Sequence, residues 1–324
     1  MAAALIALAL GGCASAAAGA AGPGSAGRAG HANRAATAAS ATTVTAQTTT
    51  APGTRVPVVT RTVTFVDSSR RVRFPHRRPV PRALVTVVRY PADPAGPLPL
   101  IVFGHGFAVT PAAYWRLLSA WAAAGYVVAA PVFPLAQAHA PGGPDEADLV
   151  NQPADMSLVI TGMLGLSAQP GDALAGRIDP QRVGVAGQSD GGETALAMAY
   201  DRYYLDPRVR AAAILSGAEL PGARAVYFTR ASPPLLAAQG TADTTNRPHF
   251  TYAFFAAAHR PKYLLRLLGA GHLPPYTTDL ARLAVVQRVT VAFFDRYLKG
   301  ERSAQARLLA AGQIPGRAAL TADP

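Results

Sequence analysis

The hydrophobic positions change their period along the chain, and this change predicts an alternation of strands and helices. Continuous apolar runs at Leu98–Phe103 and Tyr126–Phe133 are typical of strands buried on both faces of a parallel sheet. Between them, apolar residues recur with helical spacing over Tyr114–Trp121. Pro111 favours the start of this helix and Gly125 its end, so the segment predicts a strand, a helix and a second strand.

The same alternation continues toward the C-terminus. Further helices are predicted at Ala147–Leu166, Gly192–Tyr200, Phe250–Ala258 and Thr278–Leu298, and further strands at Arg182–Ala186, Val209–Leu215, Pro234–Ala238 and Lys262–Leu268. Two earlier segments, Val56–Phe65 and Ala83–Tyr90, are rich in Val and Thr and predict antiparallel strands. The sequence therefore predicts an α/β fold with a mostly parallel central sheet, antiparallel N-terminal strands and helices on both faces.

The N-terminus has the features of an export signal. The apolar run Ala2–Leu10 is too short to span a bilayer, and Leu10–Cys13 resembles a bacterial lipobox, in which the cysteine is lipidated. Residues 14–53 are mostly Ala, Gly, Ser and Thr without hydrophobic periodicity. We expect a signal peptide at 1–13, lipidation at Cys13, a disordered tether at 14–53 and a single folded domain at 54–324. The protein would then be secreted or anchored on the extracytoplasmic side of a membrane.

Composition and charge exclude several classes of site. Cys13 is the only cysteine, so the folded part can hold neither a disulfide scaffold nor a cysteine-based metal site. The formal net charge is +12, and nine arginines lie within residues 51–90 beside one acid, Asp67. These arginines lack the interleaved aromatic residues of a single-strand binding groove, so we predict no nucleic-acid partner. A local basic face is the simpler interpretation, and attraction to anionic lipid or cell-wall polymer is the alternative.

One short motif carries the strongest chemical signal. The segment Gly187-Gln188-Ser189-Asp190-Gly191 lies directly between a predicted strand and a predicted helix. A serine on such a sharp turn is exposed as a nucleophile, and the turn requires small flanking residues. We therefore predict that Ser189 is a catalytic nucleophile.

A serine nucleophile requires a base, and the base requires an orienting carboxylate. His272 follows the last predicted strand, and Asp243 follows the strand before it; we predict these two residues as base and acid. The backbone N–H groups of Phe107 and Asp190 are the predicted oxyanion donors, because one follows an early strand and the other follows the nucleophile. His105, in the same loop as Phe107, is expected to be a structural hydrogen-bonding residue.

These motifs, in the order His-Gly-Phe, Gly-Gln-Ser-Asp-Gly-Gly, Gly-Thr-Ala-Asp and Gly-Ala-Gly-His, resemble the α/β-hydrolase superfamily. The resemblance covers about residues 56–300 and points to the esterase and lipase branch, with its dienelactone-hydrolase-like, chlorophyllase-like and polyester-hydrolase-like enzymes. It implies an α/β-hydrolase fold in a catalytic domain, with Ser189, Asp243 and His272 as a triad and Phe107 and Asp190 at the oxyanion hole. It also implies that carboxylic esters are cleaved through an acyl-enzyme.

The substrate is expected to be a small-molecule, lipid-like or polymeric ester. The connection between the strands Val209–Leu215 and Pro234–Ala238 is too short for a large cap domain, so an open cleft is predicted. The insertion Pro134–Asp148 is expected to border the site. The insertion contains three acids, Asp145, Glu146 and Asp148. We expect them to cap the following helix, and substrate binding is the alternative. The carboxylate of Asp190 is expected to disfavour anionic acyl groups.

Other functions remain open at this point. A cell-envelope serine peptidase or acyltransferase would use the same three residues. A surface lipoprotein without catalytic activity would not need them. The sequence contains neither a phosphate-binding glycine loop nor a spaced cluster of metal ligands, so we expect the reaction to need no cofactor and no metal.

Overall fold

The structure of the protein, a computed structural model, describes residues 56–221 and 226–324, and the backbone alone of residues 47–50. Its strands are β1 (Gln47–Thr50), β2 (Pro57–Val72), β3 (Val80–Pro91), β4 (Leu98–Gly104), β5 (Val127–Pro131), β6 (Ile178–Gln188), β7 (Val209–Leu215), β8 (Leu235–Gly240), β9 (Lys262–Leu267) and β10 (Ala318–Asp323). Its α-helices are α1 (Trp115–Ala123), α2 (Gln152–Ala168), α3 (Asp190–Tyr200), α4 (Pro248–Ala257), α5 (Pro274–Thr277), α6 (Leu280–Tyr297) and α7 (Ala304–Ala311). Two short 3₁₀ helices, Pro111–Tyr114 and Glu146–Asn151, precede α1 and α2.

All described strands belong to one sheet with the order β1-β2-β3-β5-β4-β6-β7-β8-β9-β10. Neighbouring strands from β5 to β9 run parallel. Strand β2 pairs antiparallel with both β1 and β3, and β3 pairs antiparallel with β5. The predicted α/β-hydrolase fold, with its mostly parallel centre and antiparallel N-terminal strands, is therefore confirmed.

The sequence did not predict the last strand. Strand β10 pairs antiparallel with β9 at the far edge of the sheet, with Leu320 opposite Leu265. Only two of its six residues are buried, because an edge strand covered on one face does not need a continuous apolar run. The short helix α7, which packs against α6, was also not predicted.

Two apolar layers cover the two faces of the sheet. The parallel strands β5, β7 and β8 are buried almost throughout, which accounts for their continuous apolar sequences. Helices α1 and α6 pack on one face, and the indole N–H of Trp121 joins them by donating to Thr290 at 2.8 Å. Helices α2, α3 and α4 pack on the other face.

This arrangement places the loops that carry the predicted site residues at one edge of the sheet. In a parallel sheet the carboxyl ends of the strands meet along the same edge, where ligands generally bind. The loops after β4, β6, β8 and β9 meet there, and they contain Phe107, Ser189, Asp243 and His272, respectively. The connection from β7 to β8 contains no helix in its described residues, in agreement with the absence of a large cap domain.

Some predicted boundaries differ from the structure. The helix predicted at Ala147–Leu166 begins as a 3₁₀ turn, and its α-helical part starts only at Gln152, one residue before a proline. The single helix predicted at Thr278–Leu298 is preceded by the separate short helix α5, which ends at Thr277. Asp279 separates the two helices and caps α6 by accepting a hydrogen bond from the Arg282 N–H.

The predictions for the N-terminus lie mostly outside the described residues. These are the signal peptide at 1–13, lipidation at Cys13 and most of the tether at 14–53. Within the predicted tether, only Gln47–Thr50 are described, and they form strand β1, which pairs antiparallel with β2. Within the described part of the chain, no helix has the length and apolar character needed to cross a bilayer. The domain organisation and the localisation therefore stay predictions.

Candidate active site

Ser189 lies on a sharp turn between the last residue of β6 and the first residue of α3. Its backbone has φ 57° and ψ −127°, in the left-handed region that a residue with a side chain rarely adopts. The Ser189 N–H donates to the carbonyl of Leu215 at 3.0 Å, and the Ser189 carbonyl accepts from Glu193 at 2.9 Å. These two backbone bonds hold the strained residue and present its side chain at the edge of the sheet.

The flanking glycines are required by close backbone contacts. A Cβ atom on Gly187 would lie 1.9 Å from the carbonyl oxygen of Gly191, and one on Gly191 would lie 2.1 Å from that of Gly104. No side chain fits in either position. The spacing of glycines around Ser189 therefore follows from the close packing of β4, β6 and the start of α3.

The structure brings the three predicted triad residues together. The Nε2 atom of His272 lies 2.9 Å from Ser189 Oγ, and its Nδ1 atom lies 2.8 Å from Asp243 Oδ2. Both distances are within hydrogen-bond range. The imidazole can therefore accept the serine proton on one side while the carboxylate holds its other nitrogen protonated.

The carboxylate of Asp243 is held by its own loop. Its Oδ1 atom accepts from the N–H groups of Thr245 and Asn246 at 2.9 and 3.0 Å, and its Oδ2 atom accepts from the Gln239 amide at 3.1 Å. Burial alone would raise the pKa of Asp243, but the hydrogen bonds and charge from His272 and the Thr245 N–H leave it below its ordinary value. Asp243 therefore stays ionised and oriented toward His272.

The predicted oxyanion loop lies against the nucleophile turn. A Cβ atom on Gly106 would lie 3.1 Å from Ser189 Cβ, and the next residue is Phe107. The second predicted donor, Asp190, is the first residue of α3. Asp190 therefore follows Ser189 directly in the chain, and the loop that carries Phe107 approaches Ser189 at Gly106.

His105 is a structural residue, as predicted. It is completely buried, and its Nε2 atom accepts from the Phe133 N–H at 3.0 Å, so that Nδ1 carries the proton and donates to the Gly106 carbonyl at 2.8 Å. Burial lowers the pKa of His105 to about 4, and the imidazole is neutral at ordinary pH. The histidine fixes the conformation of the loop that leads to Phe107.

Sequence reasoning missed two residues that connect the loops of the site. Tyr114 accepts from the Gly106 N–H at 3.3 Å and donates to the side chain of Gln188 at 2.7 Å. The Gln188 amide in turn lies 3.3 Å from both the carbonyl and Nε2 of His272. The position of Gln188 between two motif residues was a signal for such a role, whereas Tyr114 fitted a purely apolar helix pattern.

Two acidic residues of α3 lie beside the nucleophile. Asp190 is only 4% exposed, and its Oδ2 atom has no hydrogen-bond partner in the described part of the chain. Burial, together with the nearby Glu146 carboxylate, raises the pKa of Asp190 to about 6. Burial and the charge of Asp190 raise the pKa of Glu193 to about 8.

The acids of the insertion have three different environments. Asp145 caps the 3₁₀ helix by accepting from the Ala147 N–H at 3.0 Å, as predicted. Asp148 does not cap a helix; it is buried and forms a two-point ion pair with Arg82. The expectation for Asp148 was therefore wrong, because a buried arginine on β3 was not anticipated. Glu146 is exposed.

The arrangement as a whole is suited to nucleophilic chemistry by a serine. Ser189, His272 and Asp243 lie in line through two hydrogen bonds, which is the arrangement that nucleophilic catalysis by a serine requires. Among the described residues, no three His, Cys, Asp or Glu side chains are grouped so that they could hold a metal ion.

Comparison with known proteins places this site in a family. A family model described as chlorophyllase matches residues 59–244, more than half of the chain. The matched range contains Ser189 and Asp243 and ends before His272. No curated protein matches the chain. The chain therefore belongs to the chlorophyllase family, a family of ester-hydrolysing enzymes within the α/β-hydrolase superfamily.

Proposed function

We propose that this protein hydrolyses carboxylic esters through an acyl-enzyme on Ser189. The observation that carries the proposal is the line of two hydrogen bonds from Ser189 through His272 to Asp243. Membership of an ester-hydrolysing family supports the reaction class. The positions of these side chains support the finer assignment of roles.

In the first half of the reaction, Ser189 Oγ attacks the ester carbonyl and His272 Nε2 takes the serine proton. The backbone N–H groups of Phe107 and Asp190 stabilise the negative oxygen that develops. The intermediate then collapses, the alcohol leaves with the proton held by His272, and the acyl group stays on Ser189. In the second half, water attacks the acyl carbonyl while His272 Nε2 takes its proton. The bond between the acyl carbon and Ser189 Oγ then breaks, Oγ takes the proton from His272, and the carboxylic acid leaves.

Two alternatives use the same scaffold. A cell-envelope peptidase or acyltransferase would cleave amides, or transfer the acyl group to a sugar acceptor, faster than it hydrolyses esters. A surface lipoprotein without activity would not require the strained backbone of Ser189, which costs about 1–3 kcal/mol. The strain and the family membership favour the esterase.

The proposal is tested with p-nitrophenyl esters of increasing acyl length. We expect hydrolysis that falls by about 10⁴–10⁶-fold in Ser189→Ala. The acyl length with the highest kcat/KM would define the substrate as a short-chain or lipid-like ester. Hydrolysis that survives in Ser189→Ala at the wild-type rate would contradict the proposal.

We also propose that the enzyme is exported and anchored through Cys13. Support comes from the lipobox-like segment that ends at this cysteine and from the Ala- and Thr-rich tether that follows it. In a bacterial host, metabolic labelling with palmitate should mark the wild-type protein and leave Cys13→Ser unlabelled. Labelling of both proteins, or of neither, would overturn the proposal.

A further inference from the structure

A cavity of about 720 Å³ lies next to the proposed triad, and its lining is unusual for this chain. The whole sequence contains only four glutamates, and three of them, Glu146, Glu193 and Glu219, line this cavity. They come from three separate segments: the insertion after β5, the first turn of α3 and the loop after β7. We call this space the glutamate cavity.

The charge of the glutamate cavity is opposite to that of the molecule. The chain carries a net charge of +12, yet no lysine, arginine or histidine of the described chain lines the cavity. Glu146 and Glu219 are exposed and Glu193 is nearly buried, so the described lining offers carboxylates to a cation and no basic side chain that competes with it.

Glu193 is the most buried of the three glutamates, and it lies in the first turn of α3. The side chain is 9% exposed and lines the cavity. Its Oε1 atom accepts one long bond of 3.4 Å from Asn246, and its Oε2 atom has no partner among the described residues. A nearly buried carboxylate that faces a cavity in this way is available to a ligand.

The glutamate cavity is physically connected to the triad. Asn246 lines the cavity, and its backbone N–H donates to Asp243 Oδ1 at 3.0 Å. The charge of Glu146 raises the pKa of Asp190, and the charge of Asp190 in turn raises the pKa of Glu193. The cavity lining therefore approaches the proposed triad through Asn246 and through Glu193, whose backbone N–H donates to the Ser189 carbonyl at 2.9 Å.

The remaining lining is mostly apolar. It includes Leu149, Val150, Pro221 and Phe250, of which Val150 and Phe250 are exposed large hydrophobic residues. The ring of Phe250 also packs against His249, with ring centroids 4.0 Å apart. Carboxylates beside an aromatic ring and apolar walls suit an ammonium group that carries alkyl substituents. A strongly hydrated metal ion or a small inorganic cation would not use these walls.

We propose that the glutamate cavity binds an organic cation, an alkylammonium or quaternary ammonium group on one end of the ester substrate. This inference rests on the proposed esterase function and deepens it, because it specifies a substrate class. Glu193 and Glu146 are its specificity-determining residues.

The state of Glu193 gives the binding a characteristic pH dependence. Burial raises the pKa of Glu193 to about 8, with further contributions from the charges of Asp190 and Glu146, while the Asn246 amide acts in the opposite direction. A bound cation favours the ionised carboxylate and displaces its proton. The preference for a cationic ligand should therefore strengthen as the pH rises from 6 to 9.

The test compares cationic esters with neutral esters of the same shape. Butyrylcholine is paired with 3,3-dimethylbutyl butyrate for a cation on the alcohol side. The methyl esters of 4-(trimethylammonio)butyrate and 5,5-dimethylhexanoate form the pair for a cation on the acyl side. Binding to full-length Ser189→Ala is measured by calorimetry, so that the result does not depend on turnover.

We expect the cationic member of at least one pair to bind about tenfold more tightly at pH 8.5. When Glu193→Gln is added to the Ser189→Ala variant, most of the preference for the cationic ester and its pH dependence should disappear. Glu146→Gln, at an exposed position where folding is not at risk, should weaken the preference. Adding Asp93→Asn, an exposed carboxylate at the opposite end of the sheet, should leave it unchanged.

Equal affinities within both pairs would overturn the inference, as would a preference that persists in both glutamine variants. These results are distinct from failure of the proposed function. An enzyme that hydrolyses both members of each pair without preference would retain the esterase function and lose the cation site. A protein that binds the cationic ester selectively, but hydrolyses none, would retain the site and lose the esterase function.

Discussion

Asp190 holds a buried carboxyl group directly beside the proposed nucleophile, and this residue gives a prediction at the smallest scale. Because its pKa is raised to about 6, the group is ionised at pH 8 and increasingly protonated toward pH 5.5. A negative charge there repels an anionic acyl chain, by about 1 kcal/mol or more at short range. The wild-type enzyme should therefore discriminate against anionic esters at pH 8 and lose this discrimination as the pH falls.

The measurement is the ratio of kcat/KM for p-nitrophenyl hexanoate to that for mono-p-nitrophenyl adipate. We expect Asp190→Asn to lower this ratio by about tenfold at pH 8 and to flatten its dependence on pH. Asp93→Asn serves as the control at a distant exposed site. A ratio that is the same in Asp190→Asn and the wild type would show that Asp190 does not select against anionic groups.

At the residue scale, the sequence predicted the positions that depend on strand ends, and it missed those that depend on side-chain contacts. Ser189, Asp243 and His272 each follow a strand whose apolar run is unambiguous, and a parallel sheet brings such ends together. The bond from Tyr114 to Gln188 joins two segments far apart in sequence. No local pattern encodes that contact.

At the scale of elements, the start of α3 is fixed by glycines that cannot be replaced. In Gly191→Ala the new Cβ would lie 2.1 Å from the Gly104 carbonyl, so that α3 and β4 must separate. We expect a loss of about 1–3 kcal/mol in the free energy of unfolding and a fall of about 100-fold in kcat through misplacement of Ser189.

Gly165→Ala is the matched control, because Gly165 lies in α2 with no atom within 4 Å of the new Cβ. It should stabilise the protein by up to about 1 kcal/mol and leave kcat unchanged. Urea denaturation and ester hydrolysis measure both variants. Similar stability and activity in the two variants would refute the role assigned to Gly191.

The elements that the sequence predicted well are those with long, regular burial patterns. The parallel strands β5, β7 and β8 are buried on both faces, and their apolar runs are continuous. Strand β10 and helix α7 are short and partly exposed, so their sequences contain too few apolar positions to define a period. These two elements complete the C-terminal edge of the fold.

At the scale of the whole molecule, the arginine-rich region has two distinct parts. Arg82 is buried and contacts Asp148 and Asp155, which joins the β2–β3 hairpin to the segment that carries Glu146. Around the turn of the same hairpin, Arg71, Arg73, Arg77 and Arg78 are exposed. The sequence pattern was interpreted as one basic face. Whether an arginine is buried depends on acidic partners that lie far away in the chain, and the pattern does not show them.

The buried part gives a prediction about stability. Arg82→Ala leaves the two carboxylates of Asp148 and Asp155 without their shared partner in a dry environment. We expect a loss of about 3–5 kcal/mol in the free energy of unfolding, measured by urea denaturation. Arg71→Ala, on the exposed side of the hairpin, should change it by less than about 0.5 kcal/mol. A loss below 1 kcal/mol in Arg82→Ala would mean that the ion pairs do not hold the hairpin in place.

The central claim is that Ser189 carries the acyl group during turnover. The most direct measurement mixes the enzyme with excess p-nitrophenyl ester, quenches the reaction in acid within its first turnovers, and locates the acyl group by peptide mass spectrometry. We predict one acyl group per molecule, on the peptide that contains Ser189, and none in Ser189→Ala. An acyl group on a different residue, or full turnover in Ser189→Ala, would contradict the account.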